Sequence, residues 1–216
     1  MKKWLLLLAL AVTMTLQGCA TSRSVIDIPT TTTTAQVANE SAPALYIRDV
    51  TDAREFQQEP PSADIPSLGF GGANAATEDL KARAIGRKRN GWGKALGDVL
   101  LPENTTVEQL VRDTATAGFQ EAGWRVVQTA NVAQDTTAVD ITIKQFWSWF
   151  QPGFWAVATN ARIETEFDFS SPYRLAPVVT EYEDHMQFVT DSDWQNTIQQ
   201  ALAQYRDKLA REAKPE

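Results

Sequence analysis

Side chains able to do acid–base or metal chemistry are scarce in this chain: 216 residues contain one His, His185, and one Cys, Cys19. A single Cys forms no intramolecular disulfide and excludes a Cys-rich zinc site. A single His excludes two-His zinc sites and leaves little material for proton transfer near neutral pH. His185 follows Glu181, Glu183 and Asp184, the pattern of a surface His beside acids rather than of a ligand or base. Glu164, Glu166 and Asp168 recur at period two, which suits a solvated strand face better than an acid/base pair. Paired carboxylates at glycosidase separations are the catalytic alternative. No Gly-x-Ser-x-Gly elbow occurs. A phosphate-binding P-loop fails because Lys88 stands where Gly is required before Gly93, and Ala95 where Ser or Thr must follow Lys94. No catalytic residue, metal or cofactor is therefore expected.

Two stretches carry binding chemistry instead. Lys81, Arg83, Arg87, Lys88, Arg89 and Lys94 follow one another with no acid between them, in a chain whose net charge is −7. Gly86, Gly91 and Gly93 interrupt the run, so backbone N–H groups could join Arg87, Lys88, Arg89 and Lys94 in an anion-binding concavity. Phosphates or carboxylates of a lipid, a glycan or an acidic protein would suit it; a solvated loop neutralised by nearby acids is the alternative. The second stretch runs from Phe146 to Trp155 through Gln151-Pro152-Gly153. Alternation assigns Trp147, Trp149 and Trp155 to a core, and leaves Phe146, Phe150 and Phe154 on the opposite face as a contact surface. The alternative is that residues 57–103 cover that face. An acidic balance argues against a nucleic-acid partner, whose binding face should be basic.

The chain opens with Lys2 and Lys3, an apolar run from Leu5 to Val12, and small or polar residues up to Gly18. Those are the parts of an export signal, and the apolar run is about half the ~20 residues that span a bilayer. Leu16-Gln17-Gly18-Cys19-Ala20 resembles the lipobox of bacterial lipoproteins. The resemblance implies cleavage after residue 18, fatty acylation of Cys19 and, with Ala20 rather than Asp at the next position, forwarding to the outer membrane. Loss of residues 1–18 removes two lysines and leaves a charge of −9. So acidic a body should hold to a membrane through acyl chains rather than through charge. Residues 19–43 include Thr30 to Thr34 and few large apolar side chains. They are expected to form a flexible tether that leaves the domain beside the membrane rather than lying on it.

The elements that must position these groups begin near Ala44. Leu45 to Val50 has strand character and ends in Asp52-Ala53-Arg54. Residues 57–103, with Pro60, Pro61, Pro66 and the Gly69, Gly71, Gly72 cluster, are expected to be a long loop insertion. Val107, Leu110, Val111, Ala115, Phe119 and Ala122 recur at helical spacing, predicting a helix over 107–122. Thr105 and Glu108 would cap its start, and Gly123 its end. Trp124 to Val127 then starts a strand. Val139–Phe150, Trp155–Phe169 and Val178–Val189 alternate with period two and read as a meander, with Tyr182, Met186 and Phe188 inward on the third strand. A last helix should start at Ser192, capped with Gln195, with Trp194, Ile198, Ala201, Leu202, Tyr205 and Leu209 inward.

Two amphipathic helices and a sheet with one polar face predict an α+β fold: a two-layer sandwich whose mostly antiparallel sheet is packed by two helices. Residues 44–216 would form that single domain. The order of elements over Leu45–Arg54, Val107–Val126, Val139–Ile163 and Trp194–Leu209, behind a lipobox, resembles the YajG-like outer-membrane lipoproteins. The resemblance implies a periplasm-facing, lipid-anchored protein and no transferable activity. The expected role is non-catalytic: binding or assisting an envelope protein, lipid or glycan. An envelope carbohydrate- or peptidoglycan-active enzyme, or an accessory lipoprotein of lipid or lipopolysaccharide transport, are the alternatives.

Overall fold

The computed structural model describes residues 22–29, 41–90, 92, 94–128 and 136–215; the expected export signal, Cys19 and the threonine run lie outside them. The order is β1 (Ser24–Val25), β2 (Ala44–Asp52), α1 (Glu78–Arg83), β3 (Ala84–Arg89), β4 (Ala95–Leu100), α2 (Val107–Ala122), β5 (Arg125–Val126), β6 (Thr137–Gln151), β7 (Val157–Phe169), β8 (Val178–Met186) and α3 (Asp191–Glu212). The fold is α+β, as expected: an eight-stranded sheet with helices packed on it. Its long ladders, β6 with β7 and β7 with β8, are antiparallel. Among the described residues no helix is long and apolar enough to cross a membrane.

Strand β6 organises the sheet. One edge pairs throughout with β7; the other is shared, Thr137 to Ile143 pairing with β2 and Ser148–Trp149 with β3. Where β2 stops and β3 has not yet begun, β6 would present unpaired carbonyls, which are costly to bury. Arg54 fills the gap. Its Nη1 donates to the carbonyls of Phe146 (3.0 Å) and Ala84 (2.6 Å), and its Nη2 to that of Lys81 (2.8 Å).

Helices α2 and α3 lie on one face and bury the apolar stripes read from their spacing. Helix α2 ends at Gly123, whose φ of 109° is left-handed, a backbone state that glycine adopts without steric cost. Both N-caps sit elsewhere than expected. Thr106 with Gln109, not Thr105 with Glu108, closes the box on α2, because Glu108 instead accepts the Asp52 N–H at 3.0 Å. Thr190 with Asp193, not Ser192 with Gln195, starts α3, and Gln195 reaches the carbonyl of Asp27.

Three further expectations are corrected. Residues 22–29 are not tether: β1 pairs with β4, and Ile26 and Ile28 enter the main core. The 57–103 insertion is not one loop; it supplies α1, β3 and β4. The alternation along β6 also reverses partway. Lys144 is an extra residue between the pairs Ile143–Thr165 and Gln145–Glu164. Such a bulge moves every later side chain to the other face. Val139, Ile141 and Ile143 point into the main core before it, and Phe146 and Phe150 after it. Trp147 and Trp149 turn instead to the second face, where Phe56, Leu68, Ala76 and Leu80 from the 57–103 region and its flank cover them.

Candidate functional site

The basic run is divided between two elements and a hairpin. Lys81 and Arg83 lie on α1 and pair with Glu78 and Asp79. Arg87, Lys88 and Arg89 lie on β3, half-buried. Lys88 Nζ stands 3.2 Å from Asp191 and donates to the Ser24 hydroxyl. Burial holds the Arg87 and Arg89 guanidiniums below their usual pKa; Asp98 opposes this for Arg87, whereas Arg87 reinforces it for Arg89. Lys94 is exposed and its N–H is held by Asn90 Oδ1 at 2.9 Å. Gly86 sits inside β3, packed against the Ser148 backbone, rather than in an open concavity. The expected anion site thus becomes a partly neutralised strand face.

The aromatic contact surface is corrected more sharply. Phe146 is fully buried and Phe150 is 8% exposed, both in the main core, because of the Lys144 bulge. Phe154 remains a surface ring, 89% exposed. It stands edge-on to Trp155 at 4.8 Å. Trp155 is 84% exposed although its parity had assigned it to the core. It precedes the first paired residue of β7, so alternation does not govern it. Phe188, expected inward, lies beyond the end of β8 and is likewise exposed.

Topology brings these rings together. β3 runs parallel to β6, so the β3–β4 hairpin and the β6–β7 hairpin turn at the same end of the sheet. Val157 pairs with Met186, which places the end of β8 there too. Trp92, Phe154, Trp155 and Phe188 occupy these three loops and are 76–95% exposed. The segment from Ser22 runs away from the same end, since β1 is parallel to β4 and Ser22 lies beside Gly97, midway along that strand. A cleft of about 680 Å³ opens beside the entry, lined by Arg23, Ser24, Lys88, Arg89, Phe150 and Trp194 among others. Alternation could not find Trp92 or Phe188. The sequence does carry a signal for Trp92, a large ring between Gly91 and Gly93 in a turn-forming segment.

The acidic strand face is a ladder of ion pairs. Arg162 bridges Glu164 (2.8 Å) and Glu181 (2.9 Å), Lys144 reaches Glu166 at 3.9 Å, and His185 lies 3.5 Å from Glu183. Arg48 forks onto Asp140 and pulls its carboxyl below the usual Asp range. Such a face is the ordinary means of solvating an antiparallel sheet.

No protein-family model matches the chain, and no curated protein does. Among solved structures it is similar to an uncharacterized protein at 12% identity and a TM-score of 0.45, over 89% of this chain and 97% of that one. It is also similar to a Xanthomonas campestris protein of the DUF330 family at 14% identity and a TM-score of 0.40, over 88% and 90% of the respective chains. Neither likeness assigns this chain a family or a function.

Proposed function

We propose that this protein is a YajG-like outer-membrane lipoprotein, held by fatty acyl chains on Cys19 and facing the periplasm. Its domain binds or assists another envelope component without catalysing a reaction. The observation that carries the reading is the position of Cys19: the lone thiol follows the segment read as an export signal and stands three residues before Ser22, the first described residue. Acyl chains on that thiol confine the domain to the membrane surface and raise its effective concentration toward neighbours there. The salt-bridged state of Glu164 and Glu166 favours this role over that of an envelope hydrolase, since both carboxylates are engaged in solvating the sheet.

Metabolic labelling with palmitate tests the anchor. The full-length product should carry label and fractionate with the outer membrane, and Cys19→Ser should abolish both. An unlabelled product, or a Cys19→Ser variant that fractionates unchanged, overturns the reading. Crosslinking in cells, followed by identification of what is caught, then names the partner.

A further inference from the structure

We infer that the aromatic end of the sheet is a membrane-docking surface, seated in the interface of the bilayer that holds the Cys19 anchor. The inference rests on the lipid-anchored reading above and replaces a domain on a long leash with one pressed against the membrane.

Chain length carries the first part of the argument. A domain beginning at Ala44 would hang from the lipid by some two dozen residues and could stand well clear of the surface. Instead Arg23, Ser24, Ile26 and Ile28 are fastened into the fold, by the Arg23–Asp98 pair at 3.0 Å, the Ser24–Asp191 hydrogen bond at 2.7 Å and burial of the two isoleucines. Cys19 to Ser22 is three peptide units, a reach of at most about 11 Å. The membrane must therefore lie close to whichever part of the domain Ser22 leaves.

That part is the end carrying the exposed rings. Six large apolar side chains are exposed among the described residues, and four of them, Trp92, Phe154, Trp155 and Phe188, stand on three loops at this end. They come from separate stretches of sequence, yet the sheet register brings the loops that carry them to the same end. Trp in particular favours the membrane–water interface, where its apolar body and N–H are both satisfied. Several charged groups nearby are engaged within the fold, Arg23 with Asp98, Lys88 with Asp191, and Asp193 with the cap of α3, while Lys94 stays exposed on the Trp92 hairpin. Docking is assigned to the rings, and a zwitterionic surface tests them apart from charge.

The test uses the full-length lipidated protein in phosphatidylcholine vesicles, with and without brominated acyl chains, which quench Trp fluorescence on contact. Flotation reads the anchor and quenching reads the dock. Wild type should float with the vesicles and lose fluorescence to bromine. Trp92→Ser/Trp155→Ser should float equally and lose most of that quenching, because Trp124, Trp147 and Trp194 are buried against protein and Trp149 is half-buried on the second face. Both positions are on the surface, so the variant should keep the wild-type melting temperature. Wild type that floats unquenched, or a double variant quenched as strongly as wild type, overturns the docking while leaving the anchor standing. Failure of wild type to float overturns both.

Discussion

The Nε of Arg23 donates to Oδ2 of Asp98 at 3.0 Å, so that the second residue of the described segment 22–29 neutralises a carboxylate with no solvent exposure. The Gly69 N–H, at 2.8 Å, is the second donor to Asp98. The charge on β4 explains why the segment from residue 22 belongs to the domain: without Arg23, Asp98 loses its ion pair in a buried site. Arg23→Ala should cost about 1–3 kcal/mol, measured by urea unfolding, and adding Asp98→Asn should restore part of it. Strict additivity of the two changes would show that the pair does not couple.

Arg54 is the sheet's internal splice. Its guanidinium has no solvent exposure, is forked by Asp52 at 2.6 and 2.7 Å, and accounts for carbonyls on α1, β3 and β6. Arg54→Met keeps an unbranched stem and removes every side-chain donor. We expect a loss of about 3–5 kcal/mol, as for other broken buried pairs, with hydrogen exchange accelerated at the β2–β3 junction first.

The Lys144 bulge makes a comparison within one hairpin. Phe150→Ala removes a ring from the main core and should cost about 3–5 kcal/mol. Phe154→Ala removes an exposed ring and should stay within about 0.5 kcal/mol of wild type. Thermal unfolding of the two variants decides between this phase and unbroken alternation, under which both rings would be equally dispensable.

Gly97 bears on the route of the chain. A Cβ at this position would run into the carbonyl of Ser22, so the β1 segment can lie this close only against glycine. Gly97→Ala should leave helices and long strands intact while lifting residues 22–25 from β4. Faster tryptic cleavage after Arg23 would report it; an unchanged digest would mean that β1 is held without that close approach.

Two aspartates should respond to pH with opposite sign. Arg48 lowers the pKa of Asp140, so its contribution is fully present above the ordinary Asp value of 3.8 and lost as pH falls through the lower folded value. Burial raises the pKa of Asp113, so a penalty absent below 3.8 sets in as pH rises through its folded value. At neutral pH Asp140→Asn should therefore lower the melting temperature slightly and Asp113→Asn raise it. In acid below both values the two differences should vanish, since protonated Asp and Asn then carry the same charge.

Elements whose signals are local were legible in the chain. The span of α2 follows from apolar spacing over more than four turns and a glycine at its end, and β7 alternates from Ala161 to Phe169. The capping boxes were misplaced by one or two residues because several Thr, Ser, Glu and Gln side chains near each start could close one. Contacts to Asp52 and Asp27 from other elements drew Glu108 and Gln195 away. The candidate site was less legible. The basic run and the aromatic stretch were visible as composition, yet which core each β6 ring enters depended on Lys144, a single unpaired residue that only the partner strand defines.

The type and order of the longer elements from β6 to α3, and the span of α2, are thus written in short windows of this chain, because helix and strand periodicity are properties of neighbouring residues. The face each β6 ring takes, the capture of residues 22–29 by Asp98 and the core, and the gathering of four rings at one end of the sheet are not. They arise from strand register and from charges and cavities on distant segments, which exist only once the pieces have met.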